Sequence, residues 1–147
     1  MRYWDDFVTG QHHALGTIEL TEAEIVRFAE QFDPQPYHLS GGGRDSLFGG
    51  LVASGWHTAS AFMRRYVEVV LADSAAEGSP GVDQLRWLRP VRPGERFTAS
   101  ITVTGSSLSL TRPGCGTVHN HCALVRDDGT ETMTMTLHAM FRKRPAA

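Results

Sequence analysis

The chain has 147 residues, of which 41% are hydrophobic and 20% are charged, and its formal net charge is −2. This length suits one domain with a modest hydrophobic core, and the near-neutral charge provides no general attraction to nucleic acid or to an anionic membrane. The first ten residues lack the basic and apolar runs of a secretory signal, and no apolar run approaches membrane-spanning length.

A short strand followed by a helix is predicted at the N-terminal end of the chain. Thr21 and Glu24 match a capping box, in which each side chain satisfies an amide that the helix start leaves unpaired. The helix is predicted from about residue 21 to residue 32, and Pro34 and Pro36 then end it. Apolar residues at helical spacing form one stripe along it: Ile25, Phe28, Ala29 and Phe32.

A second helix is predicted from about Ser54 to Leu71. Apolar residues cover much of its circumference, so we expect this helix to be heavily buried. These residues are Trp56, Ala59, Phe62, Met63, Tyr66, Val67, Val70 and Leu71. The stretch that follows, 'ADSAAEGSPG' at residues 72–81, is small, polar and glycine-containing, and is therefore predicted to be a flexible loop.

The second half of the chain alternates apolar and polar residues, which is typical of strands with one buried face. Leu85 and Trp87 share one face of the first strand, 'RPVRPGE' supplies the proline and glycine of a turn, and Asp128-Gly129 is a hairpin signal. The later inward positions are Phe97, Ala99, Ile101 and Val103, and then Met133, Met135, Leu137, Ala139 and Phe141. About four antiparallel strands are thus expected in a meander.

These elements predict an α+β protein with a single domain over residues 1–147. A helix too apolar to stand alone, beside a meander with one apolar face, favours an antiparallel sheet wrapped around the long second helix.

The stretch 'FDPQPYH', residues 32–38, places an acid and an imidazole on a stiff loop directly after the first helix. Asp33 and His38 could hold one water molecule and exchange its protons during an addition or an elimination. Gln35 lies between them and could orient that water. The alternative is an ordinary helix stop whose polar residues face water, and the spacing alone does not decide between the two.

The segment 'LFGGLVASGWHTAS', residues 47–60, opens the second helix with small residues. Ala53, Ser54 and Gly55 would let a ligand carbonyl approach the unpaired amides at the positive end of the helix dipole. An oxyanion hole for a thioester enolate needs that arrangement. The alternative is a helix start that only packs tightly against another strand.

Two other motifs match known sites poorly. Ser54 is not in a nucleophile elbow, because Val52 stands where that motif requires glycine. 'SGGGRDS', residues 40–46, is rich in glycine but lacks the lysine and spacing of a phosphate-binding loop, and is interpreted as a mobile loop near the site.

Cysteines, histidines and arginines define no specific site. With only Cys115 and Cys122, a disulfide framework is not expected, and a reducing cytoplasm is the expected location. Cys115 could share a strand face with His119 and His121, but the spacing matches no zinc signature, so no metal is expected. A group of basic residues forms either a solvated edge or a site for coenzyme phosphates: Arg86, Arg89, Arg92, Arg142, Lys143 and Arg144.

'FAEQFDPQPYHLS' followed by 'LFGGLVASGWHTAS' resembles the signature of MaoC-like dehydratases, the (R)-specific enoyl-CoA hydratases of the hot-dog fold. That signature has an Asp, an Asn two residues on, Pro and then His, followed by a glycine-rich segment that opens the central helix. 'GVDQLRWLRPVRPGERF' is similar to the family's next strand and turn, so the resemblance covers roughly residues 15–142. Gln35 departs from the usual Asn, and Leu39-Ser40 follows His38 where many members have an acidic residue.

The resemblance implies a hot-dog sheet around the second helix and reversible hydration of a trans-2-enoyl-CoA to a (R)-3-hydroxyacyl-CoA. Asp33 and His38 match the catalytic pair, Gly55 matches the glycine whose N–H binds the thioester oxygen, and Gln35 would orient the water. The residues expected to contact the substrate are Phe48, Gly50, Ser54, Trp56 and Phe62, with Trp56 shortening the acyl pocket.

The resemblance also implies a homodimer or a dimer of dimers with the site near the subunit interface. Coenzyme A would enter as part of the acyl-CoA substrate, and no metal, redox cofactor, nucleic acid or membrane partner is expected. Two alternatives stay open. One is a hot-dog thioesterase, whose carboxylate would direct water at the carbonyl, and the other is a non-catalytic acyl-CoA-binding subunit, which the change at Gln35 keeps possible.

Overall fold

The chain folds into one strand, two α-helices and four further strands, which confirms the predicted order of elements. The computed structural model describes residues 1–147. The helices are α1 (Glu22–Phe32) and α2 (Gly55–Val69), and the strands are β1 (His12–Glu19), β2 (Gly81–Trp87), β3 (Arg96–Leu108), β4 (Cys115–Arg126) and β5 (Glu131–Arg142).

All five strands form one antiparallel sheet in the order β1-β3-β4-β5-β2. The predicted meander is confirmed for β3, β4 and β5, but β2 pairs with β5 at the far edge and does not lie beside β3. Residues 88–95 therefore cross the end of the sheet. The predicted turn is present within this link at Pro93-Gly94, where the amide of Glu95 donates to the carbonyl of Arg92 at 3.3 Å, but it does not join two neighbouring strands. Pro90 and Pro93 favour extended backbone in the residues before them, which lets this link span the distance.

One face of the sheet carries the predicted apolar residues and packs on α2. Phe97, Ala99 and Ile101 of β3 are fully buried, and the alternating residues 133–141 of β5 are at most 5% exposed. From α2, Phe62 and Tyr66 join the same hydrophobic core. The predicted sheet around a central helix is therefore confirmed. The Asp128-Gly129 hairpin is also confirmed, since Gly129 adopts φ +86° in the turn between β4 and β5.

Helix α2 differs from its prediction in two respects. It begins at Gly55 and ends at Val69, after which residues 71–73 form a 3-10 turn. Its buried residues are only Thr58, Phe62 and Tyr66, so the prediction that this helix is heavily buried is wrong. The helix meets the sheet with one face, so other apolar side chains stay exposed, among them Trp56 at 59%, Met63 at 39% and Val67 at 39%. Neither helix has the length and apolar character that crossing a membrane would require.

The segment predicted as a flexible loop, residues 72–81, is anchored to two other parts of the chain. The amide of Ala75 donates to the carbonyl of Arg2 at 2.7 Å, and the amide of Glu77 donates to the carbonyl of Met140 at 2.7 Å. Ala75 itself is 1% exposed. The composition suggested mobility because small polar residues are typical of loops. The same small residues also fit tightly against a sheet edge, so this segment is held in place.

Strand β2 contains a bulge between Asp83 and Arg86. Leu85 packs against the core, and Trp87 lies opposite the buried Met133 of β5. Leu85 and Trp87 thus both lie on the core side, as predicted, but the strand between Asp83 and Trp87 is irregular.

Candidate active site

The loop that follows α1 holds His38 in a fixed orientation. Thr21 caps α1 through the predicted capping box, and Asp33 is the residue at which the helix ends. Residues 36–38 form a 3-10 turn that begins with a proline. Nδ1 of His38 lies 2.6 Å from the carbonyl oxygen of Val52. Because a carbonyl can only accept, Nδ1 carries a proton, and Nε2 is the ring nitrogen available for proton exchange.

His38 and Asp33 face each other inside the protein. Nε2 of His38 is 3.4 Å from Oδ2 of Asp33, and the two side chains are 7% and 18% exposed. The alternative in which these residues are solvated side chains after a helix stop does not agree with this burial. The geometry brings a carboxylate and an imidazole within reach of one water molecule.

Two further side chains donate to the carboxylate of Asp33. Oγ of Ser54 donates to Oδ2 at 2.7 Å, and Nε2 of Gln35 donates to Oδ1 at 2.6 Å. Burial alone would raise the pKa of Asp33, but the hydrogen bonds from Ser54 and Gln35, together with the charge of His38, outweigh it and lower the pKa below its usual value. Asp33 is therefore held ionised at neutral pH.

Gln35 acts on the carboxylate in this structure. Its amide nitrogen donates to Asp33, and its amide oxygen accepts a hydrogen bond from the hydroxyl of Tyr37. Both ends of the amide are engaged, so Gln35 positions the acid directly, where the sequence suggested that it orients water. Tyr37 was not predicted as a site residue, because its role depends on the contact with Gln35.

The start of α2 leaves its backbone amides open. Ser54 occupies the N-cap position but makes no capping hydrogen bond, because its hydroxyl is directed to Asp33. The N–H groups of residues 55–57 have no hydrogen-bond partner in the chain. At the same time, a Cβ on Gly55 would lie 2.4 Å from the indole of Trp87. The open amides and the tight packing, which the sequence presented as alternatives, are thus both present.

A cavity of about 430 Å³ joins these parts. Asp33, Gln35, His38 and Gly55 all line it, so the carboxylate, the imidazole and the start of α2 share one space. The remaining walls come from the two loops before α2, the first turn of α2, the end of β2 with the link after it, and the start of β5. They are Tyr37, Phe48, Val52, Ala53, Trp56, Thr58, Trp87, Leu88, Arg89, Pro90, Val91 and Thr132.

The five residues predicted to contact substrate are placed differently from one another. Phe48 and Trp56 line the cavity, whereas Gly50, Ser54 and Phe62 do not. Phe62 is fully buried in the core; it lies two turns beyond Gly55, about 10 Å further along the helix. The cavity therefore gives no support to its assignment to the acyl pocket. Ser54 contacts Asp33, and Gly50 lies in the loop before α2 near Arg92.

The basic residues differ in what they contact, and the histidines do not form a metal site. Arg142 and Arg144 are paired with Glu77 and Asp6, while Arg89 lines the cavity and has no carboxylate partner. No group of three or more His, Cys, Asp or Glu side chains is arranged to hold a metal ion. Arg89 is thus the cationic group best placed to meet an anionic part of a ligand.

Residues 7–123 match the family of the MaoC like domain. This match covers most of the chain, and the chain belongs to the MaoC-like dehydratase family, as the sequence motifs predicted. It is 34% identical to a MaoC-like dehydratase from Rhodospirillum rubrum, with a TM-score of 0.89 over 99% of this chain and 100% of that one.

Two more distant structures agree in fold. The R-hydratase PhaJ1 from Pseudomonas aeruginosa is 19% identical, with a TM-score of 0.77 over 97% of this chain and 86% of that one. A Mycobacterium tuberculosis protein with a double hotdog fold is 16% identical, with a TM-score of 0.77 over 99% of this chain and 45% of that one. The hot-dog fold is therefore confirmed, and the family supports hydratase or dehydratase chemistry in general terms.

Proposed function

We propose that this protein catalyses the reversible syn addition of water to a trans-2-enoyl-CoA, giving a (R)-3-hydroxyacyl-CoA. The observation that carries the proposal is the shared cavity, in which an ionised carboxylate lies 3.4 Å from an imidazole and which is also lined by Gly55, whose N–H has no partner in the chain. Membership of the MaoC-like dehydratase family supports the reaction class.

The proposed chemistry uses one water molecule held by Asp33 and Nε2 of His38. As the water oxygen bonds to C3 of the enoyl group, the pair accepts one of its protons and delivers one proton to C2 from the same face. The proton on Nδ1 stays with the carbonyl of Val52, so Nε2 is the only ring nitrogen that exchanges. In the reverse direction the same groups remove water.

The negative charge that develops during addition lies on the thioester oxygen. The unpaired N–H of Gly55, assisted by the positive end of the dipole of α2, would stabilise that oxygen. The thioester acidifies C2, so the proposed reaction needs no metal or redox cofactor, and coenzyme A takes part only as the carrier of the acyl group. Arg89 at the cavity is the proposed contact for its phosphates.

The direct test is the product formed from crotonyl-CoA. We expect loss of the enoyl absorbance without release of a free thiol, and (R)-3-hydroxybutyryl-CoA as the product on chiral analysis. Release of free thiol would assign the protein as a thioesterase. Binding of crotonyl-CoA without any chemical change would assign it as a non-catalytic acyl-CoA-binding subunit.

We also propose that a second copy of the chain covers the exposed apolar side of the molecule. Strand β2 is an unpaired sheet edge. Its residues Val82 and Trp87, and Leu88 directly after it, are 40–44% exposed. Met63 of α2, 39% exposed, lies beside this edge, since it lines a small cavity with Leu137, the residue that pairs with Val82. An uncovered edge with apolar neighbours favours pairing with another chain. Sedimentation should show a dimer that Met63→Arg converts to monomer, whereas a monomeric unmodified protein would refute the proposal.

A further inference from the structure

The bulge in β2 decides which face of the sheet Trp87 occupies. Asp83 pairs with Thr136 and Arg86 pairs with Thr134, so β2 has one residue more than β5 between these pairs. Val82, before the bulge, lies opposite Leu137 of the core face. Trp87, after it, lies opposite Met133 of the same face. Val82 and Trp87 are an odd number of residues apart, so in a regular strand they would point to opposite faces. The extra residue therefore turns Trp87 toward α2.

This arrangement requires unusual backbone. Gln84, inside the bulge, adopts φ +52°, and it is the one non-glycine residue of the chain with a positive φ. Residues with side chains pay an energetic cost in this region, and such conformations concentrate near functional sites. Bulges likewise occur beside active sites, where they redirect a side chain. The unusual backbone of β2 thus indicates that the orientation of Trp87 matters for function.

The indole of Trp87 fills the space directly over the start of α2. A Cβ built on Gly55 would lie 2.4, 2.5 and 2.8 Å from three atoms of the indole. The indole also contacts Trp56 edge to face, with ring centroids 5.1 Å apart and an interplanar angle of 80°. Both tryptophans and Thr58 line the cavity. The two rings together form a wall beside the amide of Gly55.

We propose that Trp87 determines the length of the acyl group by closing the cavity next to the thioester site, so that the protein takes short-chain acyl-CoA substrates. This inference rests on the proposed function. A thioester oxygen bound to the N–H of Gly55 places the first acyl carbons beside the indole, where the wall leaves little room for a long chain. Trp56 is 59% exposed against 44% for Trp87, and it contacts the indole of Trp87 edge to face.

The first test compares trans-2-butenoyl-CoA with trans-2-octenoyl-CoA. We expect the unmodified protein to prefer the four-carbon substrate. The Trp87→Ala variant should raise the ratio of kcat/KM for the eight-carbon to the four-carbon substrate by about 10-fold or more, since even one methylene in an apolar pocket discriminates about 10-fold or more. Trp87→Phe should give an intermediate ratio. Val82→Ala, on the same face of β2 but outside the cavity, is the matched control and should leave the ratio unchanged.

A ratio for Trp87→Ala within twofold of the unmodified protein would overturn the inference. If Trp87→Ala does not fold, Trp87→Phe provides the same test, because phenylalanine has one ring in place of the two fused rings of the indole. An unmodified protein that already prefers the eight-carbon substrate would also overturn it.

A second test is independent of turnover. The ligands are butyryl-CoA and octanoyl-CoA, which cannot be hydrated, and their affinities are measured by calorimetry. Trp87→Ala should raise the ratio of the octanoyl-CoA affinity to the butyryl-CoA affinity by at least about 10-fold. If crotonyl-CoA is not hydrated but this shift is found, the proposed function fails and the role of Trp87 in acyl length stands. If hydration occurs and neither kcat/KM nor binding shifts, the role of Trp87 fails alone.

The contact between residues 55 and 87 can be checked by stability. Gly55→Ala should lower the unfolding temperature, because its methyl group collides with the indole. In the double variant with Trp87→Ala, the same Gly55→Ala change should no longer be destabilising. Equal destabilisation by Gly55→Ala in both backgrounds would show that the indole does not occupy this space, and the inference would fail.

Discussion

The molecule contains two carboxylate–imidazole pairs, and the closer pair is not the one in the cavity. Asp83 and His138 are 2.6 Å apart, whereas Asp33 and His38 are 3.4 Å apart. The side chain of Asp83 is 72% exposed and that of Asp33 is 18% exposed. A short distance between an acid and a histidine is thus a poor guide to a reactive site, and the surroundings of each pair carry the information.

The surroundings differ in what else each group contacts. Asp33 receives two further hydrogen bonds and opens into a cavity with free amides. Nε2 of His138 donates to the carboxylate of Asp83, and its Nδ1 lies 2.7 Å from Nδ1 of His119 on the outer face of the sheet. Neither Asp83 nor His138 lines the cavity. Exposed ion pairs contribute little to stability, so the outer pair serves as a built-in control for the inner one.

The largest expected effect comes from replacing the two histidines in parallel. His38→Ala should reduce kcat/KM for crotonyl-CoA by about 10²- to 10⁴-fold, the usual contribution of a positioned acid or base. His138→Ala makes the same chemical change in the outer pair and should leave the rate within about twofold of the unmodified protein, as expected for a surface site. Equal losses in the two variants would contradict the distinction between the pairs.

The second effect concerns the N–H of Gly55. The outer pair has no corresponding free amide beside it. In the Trp87→Ala background, Gly55→Pro removes the N–H and Gly55→Ala keeps it. Proline suits the first position of a helix, and Ser54 before it already has φ −56° and ψ 137°, which a residue before proline favours. The proline variant should be about 10²- to 10³-fold slower than the alanine variant in crotonyl-CoA hydration. Equal rates would exclude this amide as the oxyanion donor.

A smaller effect is expected from Ser54→Ala, which removes one donor to Asp33. The hydrogen bond from Ser54 helps to lower the pKa of Asp33, so its loss should raise that pKa. Because the proposed reaction uses ionised Asp33, the acid limb of the pH profile of kcat/KM should move to higher pH. Ser60→Ala, on the exposed side of the same helix, is the control. It removes a hydroxyl that donates to the backbone carbonyl of Trp56, and it should leave the acid limb unchanged.

The same variant has a consequence for stability. A carboxylate whose pKa is lowered in the folded state stabilises the fold above its ordinary pKa, and that contribution is lost as the pH falls through the folded value. Ser54→Ala should therefore lower the free energy of unfolding at neutral pH more than at acid pH. An unshifted acid limb in Ser54→Ala would mean that Ser54 does not tune Asp33.

The smallest effect is expected when the outer pair is broken. Asp83→Asn should change the free energy of unfolding by less than about 0.5 kcal/mol, because Asp83 is exposed and its ion pair is screened by solvent. Urea unfolding at neutral pH measures this difference. A loss several times larger would show that the outer cluster of Asp83, His138 and His119 is a structural element of the sheet.

The parts of the site that follow from short stretches of sequence could be predicted. The capping box, the prolines after α1 and the small residues before α2 are local signals. They place Asp33 at the end of α1, His38 in the loop after it and Gly55 at the start of α2, as the structure has them. Alternation along β3 and β5 likewise predicted which residues face the core.

The parts that depend on the order and register of the strands could not be predicted. Trp87 reaches Gly55 only because β2 pairs with β5 and contains a bulge, and the link 88–91 lines the cavity because it crosses the sheet end. The burial of α2 was overestimated because a count of apolar residues does not show which faces another element covers. Phe62 does not reach the cavity for a related reason, since it shares a face with Gly55 but lies deeper along the helix.

The central claim is most directly tested by making one substitution in both pairs, Asp33→Asn and Asp83→Asn, and measuring crotonyl-CoA hydration with the (R)-product quantified. The change is nearly isosteric and removes one negative charge in each case. We predict a fall of about 10²- to 10⁴-fold for Asp33→Asn and no significant change for Asp83→Asn. Full activity in a folded Asp33→Asn variant would contradict the assignment of Asp33 to the reaction.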